Sequence, residues 1–326
     1  MQKVIKAFKA NKNFLIVSHY HPDGDAIGSA LALGISLKKL KKKVVVYNRD
    51  EVPFSLQFLP AIKQVTRVFP EGNFDCAIMV DCAQPKRISQ EFAEAVEAKR
   101  FKTLICIDHH LLDNKVGDID CIDPKAASTG CVVWSILKKM KLNKSADIAN
   151  LVYCTLTVDT GSFRYSNTTE STFRLAAELL REGADPWFVA QNLDESNPIN
   201  RYRLLGFSLK SLHVSFNGQF ASMDVTREMF KGSDAHEDLS DEFANYPRSI
   251  AGVEVSALYR EMEDGRIKVS LRSKMKVDVS QVAKQFGGGG HKHAAGCVLN
   301  ADLPTAKMQI EEAINPLLCK EGTKGR

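Results

Sequence analysis

The chain has 326 residues, 44% of them apolar and 25% charged, with a formal net charge of +5. That balance is ordinary for a globular protein and excludes a collagenous or low-complexity chain. No apolar run is long enough to span a bilayer, and the start MQKVIKAFKANKN lacks a signal-peptide core, so a cytoplasmic protein without a membrane partner is expected. The length exceeds one typical domain and fits two, each able to bury its own core.

In chain order, FLIVS reads as a strand and runs into HYHPDGDAIGS, which carries His19, Asp23 and Asp25. Alone, Asp23-Gly24-Asp25 is equally a turn followed by an N-cap for the helix AIGSALALGISLKKL. KKLKKK closes that helix, where lysines complement its dipole, and is given no substrate role. KVVVY follows as a strand, then CAIMV ending at Asp81, then LICI running into Asp108, His109 and His110. LVYCTLTVDTGSF is a further apolar run and carries the fourth cluster, with Asp159. Ser145 caps one late helix and Asp185-Pro186 begins another. Strand and helix patterns alternate through about residue 194, which predicts an α/β domain over 1–194: a mostly parallel sheet with helices on both faces. Cys76, Cys106 and Cys154 lie in apolar runs and no C-x-x-C pair occurs, so the eight cysteines read as reduced thiols.

ESNPINRYRLLG has a proline break and a helical pattern, a connector over 195–212. A smaller α+β domain is expected over 213–320. In it, Glu263-Asp264-Gly265-Arg266 turns a hairpin, 277–286 is helical, and the glycine run precedes a short strand and a helix from about Leu303. The EGTKGR tail is expected to be disordered. The stretch from Arg260 to His293 holds eight basic against four acidic side chains, which could collect phosphates but is equally a solvated hairpin face.

A carboxylate or imidazole just past an apolar strand lies at the carboxyl edge of a parallel sheet, where open α/β folds gather their ligand groups. Four clusters of Asp and His, with no cysteine pair among them, suit a divalent ion such as manganese or magnesium. Crowded carboxylates repel unless cations neutralise them, and two ions held roughly 3.5–4 Å apart can grip both oxygens of a phosphoryl displacement.

The order H-x-x-x-D-x-D, VD, DHH, D-x-G, together with QFGGGGHKHAAGC, resembles the DHH phosphoesterase superfamily with its associated C-terminal domain, from Phe14 to about Cys297. Within it the chain is most similar to the short NrnA-like, or nano-RNase, branch. That branch degrades very short oligonucleotides and in many members dephosphorylates 3′-phosphoadenosine 5′-phosphate. The resemblance implies two divalent ions, manganese first and magnesium or cobalt as alternatives. It implies His19, Asp23 and Asp81 around one ion, and Asp25, Asp81, His109 and Asp159 around the other. His110 then faces the phosphate as a catalytic group, and Asp108 orients an imidazole. His19 is preferred to His21 by the family spacing, not by chemistry. Asp113, Asp118, Asp120 and Asp123 match no motif position and read as loop or cap residues.

On the substrate side the resemblance implies Arg272, Ser273, Gly288, Gly289, Gly290 and His291. By residue type alone, a guanidinium can take a terminal phosphate bidentately and a glycine run can turn N–H groups towards an anion. His293 and Cys297 imitate half of a zinc site without a second ligand pair, so His293 is read as peripheral. The expected activity is hydrolysis of short oligoribonucleotides to nucleoside monophosphates. Close alternatives are a RecJ-like single-strand exonuclease and a cyclic or linear dinucleotide phosphodiesterase, with a family II pyrophosphatase disfavoured by GGGGHKHAAG. A non-catalytic RNA or nucleotide binder is the reading from another class, and it would be expected to have lost a metal ligand. Homodimerisation is left open by the chain.

Overall fold

The computed structural model describes residues 1–111 and 115–318, and only the backbone of His291. Asp113, the 321–326 tail and the His291 side chain therefore lie outside the described residues. The chain divides into two compact units, 1–196 and 197–326.

In the first unit the order is α1 (Gln2–Ala10), β1 (Asn13–Val17), α2 (Gly24–Lys39), β2 (Lys43–Tyr47), β3 (Val65–Thr66), β4 (Phe74–Val80), α3 (Gln90–Glu97), β5 (Phe101–Asp108) and β6 (Ile119–Ile122). Four helices follow: α4 (Thr129–Lys139), α5 (Ala146–Asp159), α6 (Glu170–Arg181) and α7 (Pro186–Asp194). The six strands form one sheet in the order β3-β2-β1-β4-β5-β6, and each pair is parallel. Alternate strand residues go to opposite faces. Phe14, Ile16, Ile78, Val80, Ile105 and Ile107 join a core built with α1, α2, α4 and α5. Leu15, Val17, Ala77, Met79 and Cys106 face α3 through Phe92. Burial on both faces explains why β1, β4 and β5 read as continuous apolar runs. Strand order reverses between β1 and β4, the switch point beyond whose carboxyl ends such sheets bind ligands.

The apolar run that carries the fourth cluster behaves differently from those before it: Leu151–Asp159 is the last part of α5, not a strand. Its β-branched residues pack on α2 instead of a neighbouring strand, so tertiary packing overrides local propensity.

The second unit contains α8 (Ile199–Lys210), β7 (His213–Ser215), β8 (Phe220–Val225), α9 (Arg227–Ser233), α10 (Asn245–Arg248), β9 (Val255–Glu261), β10 (Ile267–Ser273), α11 (Val279–Gln285), β11 (Gly289–His291), β12 (Ala294–Leu299) and α12 (Leu303–Leu318). Its sheet runs β11-β12-β10-β9-β8-β7, antiparallel except for the β8–β9 pair. Ile267, Val269 and Leu271 of β10 point into a core with α11 and α12. The segment expected as a connector holds α8, whose Leu204 is buried with Met223, Val225, Phe230, Phe243 and Leu258, so α8 is part of this unit.

The glycine run is more ordered than a flexible turn. Gly289–His291 is an outer strand paired to β12. Gly290 has a φ of +140°, and a Cβ there would lie 2.5 Å from the Ala294 carbonyl oxygen, so only glycine fits. Arg272 shares a face of β10 with Lys268 and Ser270. Ser273, 1% exposed, is turned to the opposite face, where its hydroxyl donates to the Val277 carbonyl at 2.7 Å and sits 2.9 Å from His293 Nδ1. That hydroxyl ties a strand end to its neighbours.

Candidate metal centre

The carboxyl ends of β1, β4 and β5, the N-terminus of α2 and the C-terminus of α5 bring eight of the sequence-expected side chains together. His19 is two residues past β1. Its Nε2 lies 3.4 Å from Asp81 Oδ2 and 4.0 Å from Asp23 Oδ1. Asp23 is also the N-cap of α2, its Oδ1 accepting from the N–H groups of Asp25 and Ala26 at 3.0 Å each. The capping reading and the cluster reading thus describe one residue doing both. His21, its side chain 73% exposed, is directed to Asp50 instead.

Asp81 follows β4 with a left-handed φ of +54°, uncommon for a non-glycine residue and a pointer to function. Its two oxygens face opposite ways. Oδ2 faces His19, while Oδ1 lies 3.8 Å from His109 Nε2 and 3.5 Å from His110 Nδ1. His109 Nε2 also lies 3.2 Å from Asp159 Oδ2 and 3.9 Å from Asp25 Oδ2. Three overlapping groups result: His19, Asp23 and Asp81; Asp25, His109 and Asp159; and Asp81 with Asp108, His109 and His110.

Asp108 stands apart in its bonding. Its Oδ1 accepts from the N–H groups of His109 and His110 at 2.7 and 3.0 Å and lies 2.5 Å from His110 Nδ1. Burial pushes its pKa up, but the bonds and charge of His110 outweigh that and hold it below the usual carboxylate range. The imidazole it orients is therefore that of His110. Asp118, Asp120 and Asp123 accept main-chain N–H groups of their own loop or of Leu104 and lie outside the cluster.

The Thr129–Gly130 start of α4 escaped the sequence reading. Asp25, 0% exposed, sits against the N-terminus of α4: Oδ2 accepts from Thr129 N–H at 2.7 Å and Oδ1 from Gly130 N–H at 3.0 Å. The Thr129 hydroxyl donates to Asp81 Oδ1 at 3.0 Å. The available signal was Ser128-Thr129-Gly130 opening a helix, joined to glycines at two helix crossings. A Cβ on Gly130 would lie 2.0 Å from Thr155 Oγ1, and one on Gly28 would lie 2.6 Å from Thr155 Cγ2. Both glycines let α2 and α4 close on α5, which brings Asp25, Thr129 and Asp159 to one place.

Electrostatics then fix what this donor set needs. Burial raises the pKa of Asp25, Asp81 and Asp159, and the neighbouring carboxylates raise it further. Among the described residues of the first unit, no lysine or arginine pairs with any of the three. Carboxylate oxygens and imidazole nitrogens converging in this way fit divalent metal ions, whose charge would relieve this repulsion.

The family model described as "DHH family, N-terminal domain" matches residues 13–156, and that of the DHHA1 domain matches 217–317. The chain is 34% identical to the bifunctional oligoribonuclease and PAP phosphatase NrnA of Thermus thermophilus, covering 99% of this chain and 95% of that protein. A crystal structure of an exopolyphosphatase-related protein from Bacteroides fragilis matches with a TM-score of 0.90 at 29% identity, covering 97% of this chain and 96% of that one. RecJ from Thermus thermophilus, crystallised with Mn2+, shares the fold at a TM-score of 0.55 and 13% identity, over 96% of this chain and 54% of its own. On these matches the chain belongs to the DHH family of phosphoesterases, hydrolases of phosphoester bonds.

Proposed function

We propose that this protein hydrolyses short oligoribonucleotides to nucleoside monophosphates and, at the same centre, dephosphorylates 3′-phosphoadenosine 5′-phosphate. The observation that carries the reading is Asp81, whose two oxygens address His19 on one side and His109 with His110 on the other. In this proposal His19, Asp23 and Asp81 hold one divalent ion, and Asp25, Asp81, His109 and Asp159 hold the second. When bound, the pair supplies Lewis acidity and charge neutralisation to a phosphodiester. Imidazoles among the carboxylates favour manganese, with magnesium and cobalt as the comparisons to make.

His110 is assigned the phosphate, not a metal. Held through Nδ1 by Asp108, it is oriented to stabilise charge on the phosphoryl oxygens and to protonate the leaving oxygen. Thr129 steadies Asp81 from behind. Arg272, the main chain of Gly288–Gly290 and His291 are proposed to take the end of the substrate. The outer position of β11 and the face shared by Arg272 and Lys268 support that role. A reducing, cytoplasmic setting goes with this reading, supported by the seven described cysteines, all of them free thiols. Among the described residues no helix is long and apolar enough to cross a membrane.

RNAs graded from two to about twenty nucleotides, digested with manganese at two salt concentrations, test the proposal. Dinucleotides should be cut at least as fast as long strands, with mononucleotides as the product. Rates that climb with length and fall steeply with salt would instead indicate a strand-tracking, RecJ-like exonuclease.

A further inference from the structure

Two asparagines outside the ligand set hold the two halves of the centre from behind. Asn48, fully buried, lies one residue past β2. Its side-chain amide donates to the His19 carbonyl at 2.8 Å and to Ser18 Oγ at 2.9 Å. It is itself anchored: its main-chain N–H donates to the Thr66 carbonyl at 3.1 Å, and its Oδ1 accepts the Asp50 N–H at 3.0 Å. Asp50 Oδ2 in turn accepts the N–H of His21 at 2.7 Å. The loop bearing His19 and Asp23 is therefore fastened to the end of β2 at three points. Asn167 does the corresponding work on the other side. Its amide donates to the carbonyls of Asp159 at 3.1 Å and Ala127 at 3.2 Å. The adjoining Ala126 carbonyl lies 3.3 Å from His109 Nδ1.

In both cases an amide N–H group meets main-chain carbonyls that no strand or helix ladder takes up, at points where ligands leave regular structure. Buried carbonyls need such a partner, and an amide NH2 can serve two at once. We propose that Asn48 and Asn167 are positioning residues, one for each metal: Asn48 for the ion held by His19, Asp23 and Asp81, and Asn167 for the ion held by Asp25, Asp81, His109 and Asp159. The proposal rests on the two-metal reading above. Neither side chain is a ligand, so each acts by fixing where ligands stand, and losing such an outer partner typically weakens metal binding about 10–100-fold.

The test is manganese titration of the purified full chain by calorimetry and electron paramagnetic resonance, with Asn48→Ala and Asn167→Ala placed in two backgrounds. In Asp159→Ala, where the His19-side ion is the one retained, Asn48→Ala should weaken binding about 10-fold or more, and Asn167→Ala by no more than about twofold. In His19→Ala the pattern should reverse. Equal losses from both asparagines in both backgrounds would overturn the proposal, since general loosening has no preference between ions. Amide hydrogen exchange of the metal-free protein separates this failure from that of the two-metal reading. Asn48→Ala should speed exchange at 20–23 and leave 160–165 unchanged, and Asn167→Ala should do the opposite. Unchanged exchange at both loops would overturn the clamps, whatever the metal count. A wild-type chain that binds fewer than two manganese ions, with the exchange pattern as expected, would overturn the metal reading and with it the assignment of one clamp per metal. If Asn48→Ala does not fold, Asp50→Ala, with its side chain only 26% exposed, removes the His21 tether together with Asp50's pairing to Arg49 and leaves the two Asn48 amide bonds in place. It should weaken the same ion; no weakening would count against the clamp.

Discussion

Asp81 and Asp108 are the same side chain set to different tasks by their surroundings. Asp108 accepts two main-chain N–H groups and an imidazole, which keep it ionised despite burial. Asp81 has only the Thr129 hydroxyl and nearby imidazoles, and burial with three neighbouring carboxylates drives its pKa well above the usual range. The first is a fixed orienting anion and the second is poised for cations. The same contrast separates the two histidines. His109 lies among three carboxylates, so His109→Ala should lower metal content. His110→Ala should keep both ions and reduce kcat by about 10²–10⁴-fold, as expected of a group acting in proton transfer. Metal analysis beside steady-state kinetics checks this, and metal loss from the His110 variant would reverse the roles. At this scale much was legible in the chain, because Asp81 directly follows an unmistakable strand and the Asp108–His110 triplet begins on the last residue of another. Thr129 was not, since its N–H meets an aspartate 104 residues earlier in the chain and only folding brings them together.

Among the elements, the closeness of helices decides the site. Gly130 leaves no room for a Cβ beside Thr155, so Gly130→Ala should push α4 from α5 and cost about 1–3 kcal/mol of stability. Thermal unfolding of the metal-free protein checks this; an unchanged Tm would mean that the helices are not in such contact. The strands were readable from their uniform apolar character, which a sheet covered on both faces requires. The helix ending at Asp159 was not, because LVYCTLTV is equally a buried strand until α2 is known to lie against it. Likewise the glycine run gave no sign that part of it pairs as β11. The start of β1 offers a pH-dependent test. Asp75 accepts the N–H groups of Lys12 and Asn13 and the ammonium of Lys102, and this lowers its pKa from 3.8 to about 2. A lowered folded-state pKa makes the carboxylate stabilising above about pH 4. That contribution falls away as pH drops through about 2. Asp75→Asn should therefore have a lower Tm than wild type at pH 6, with the gap closing towards pH 2. A gap that persists at pH 2 would contradict the assignment.

For the molecule as a whole, two units with separate cores carry different chemistry: clustered carboxylates and imidazoles in the first, and in the second the basic face of β10 with the strand formed by the glycine run. If Arg272 grips the substrate equally in ground and transition states, Arg272→Ala should raise KM for dinucleotides and leave kcat nearly unchanged. A fall in kcat alone would move Arg272 into the chemical step. The central claim, however, is that one carboxylate serves two metals, and anomalous diffraction from crystals grown with manganese tests it most directly. The account predicts two manganese peaks roughly 3.5–4 Å apart, one on each side of the Asp81 carboxylate. A single peak, or two peaks that do not share Asp81, would contradict it.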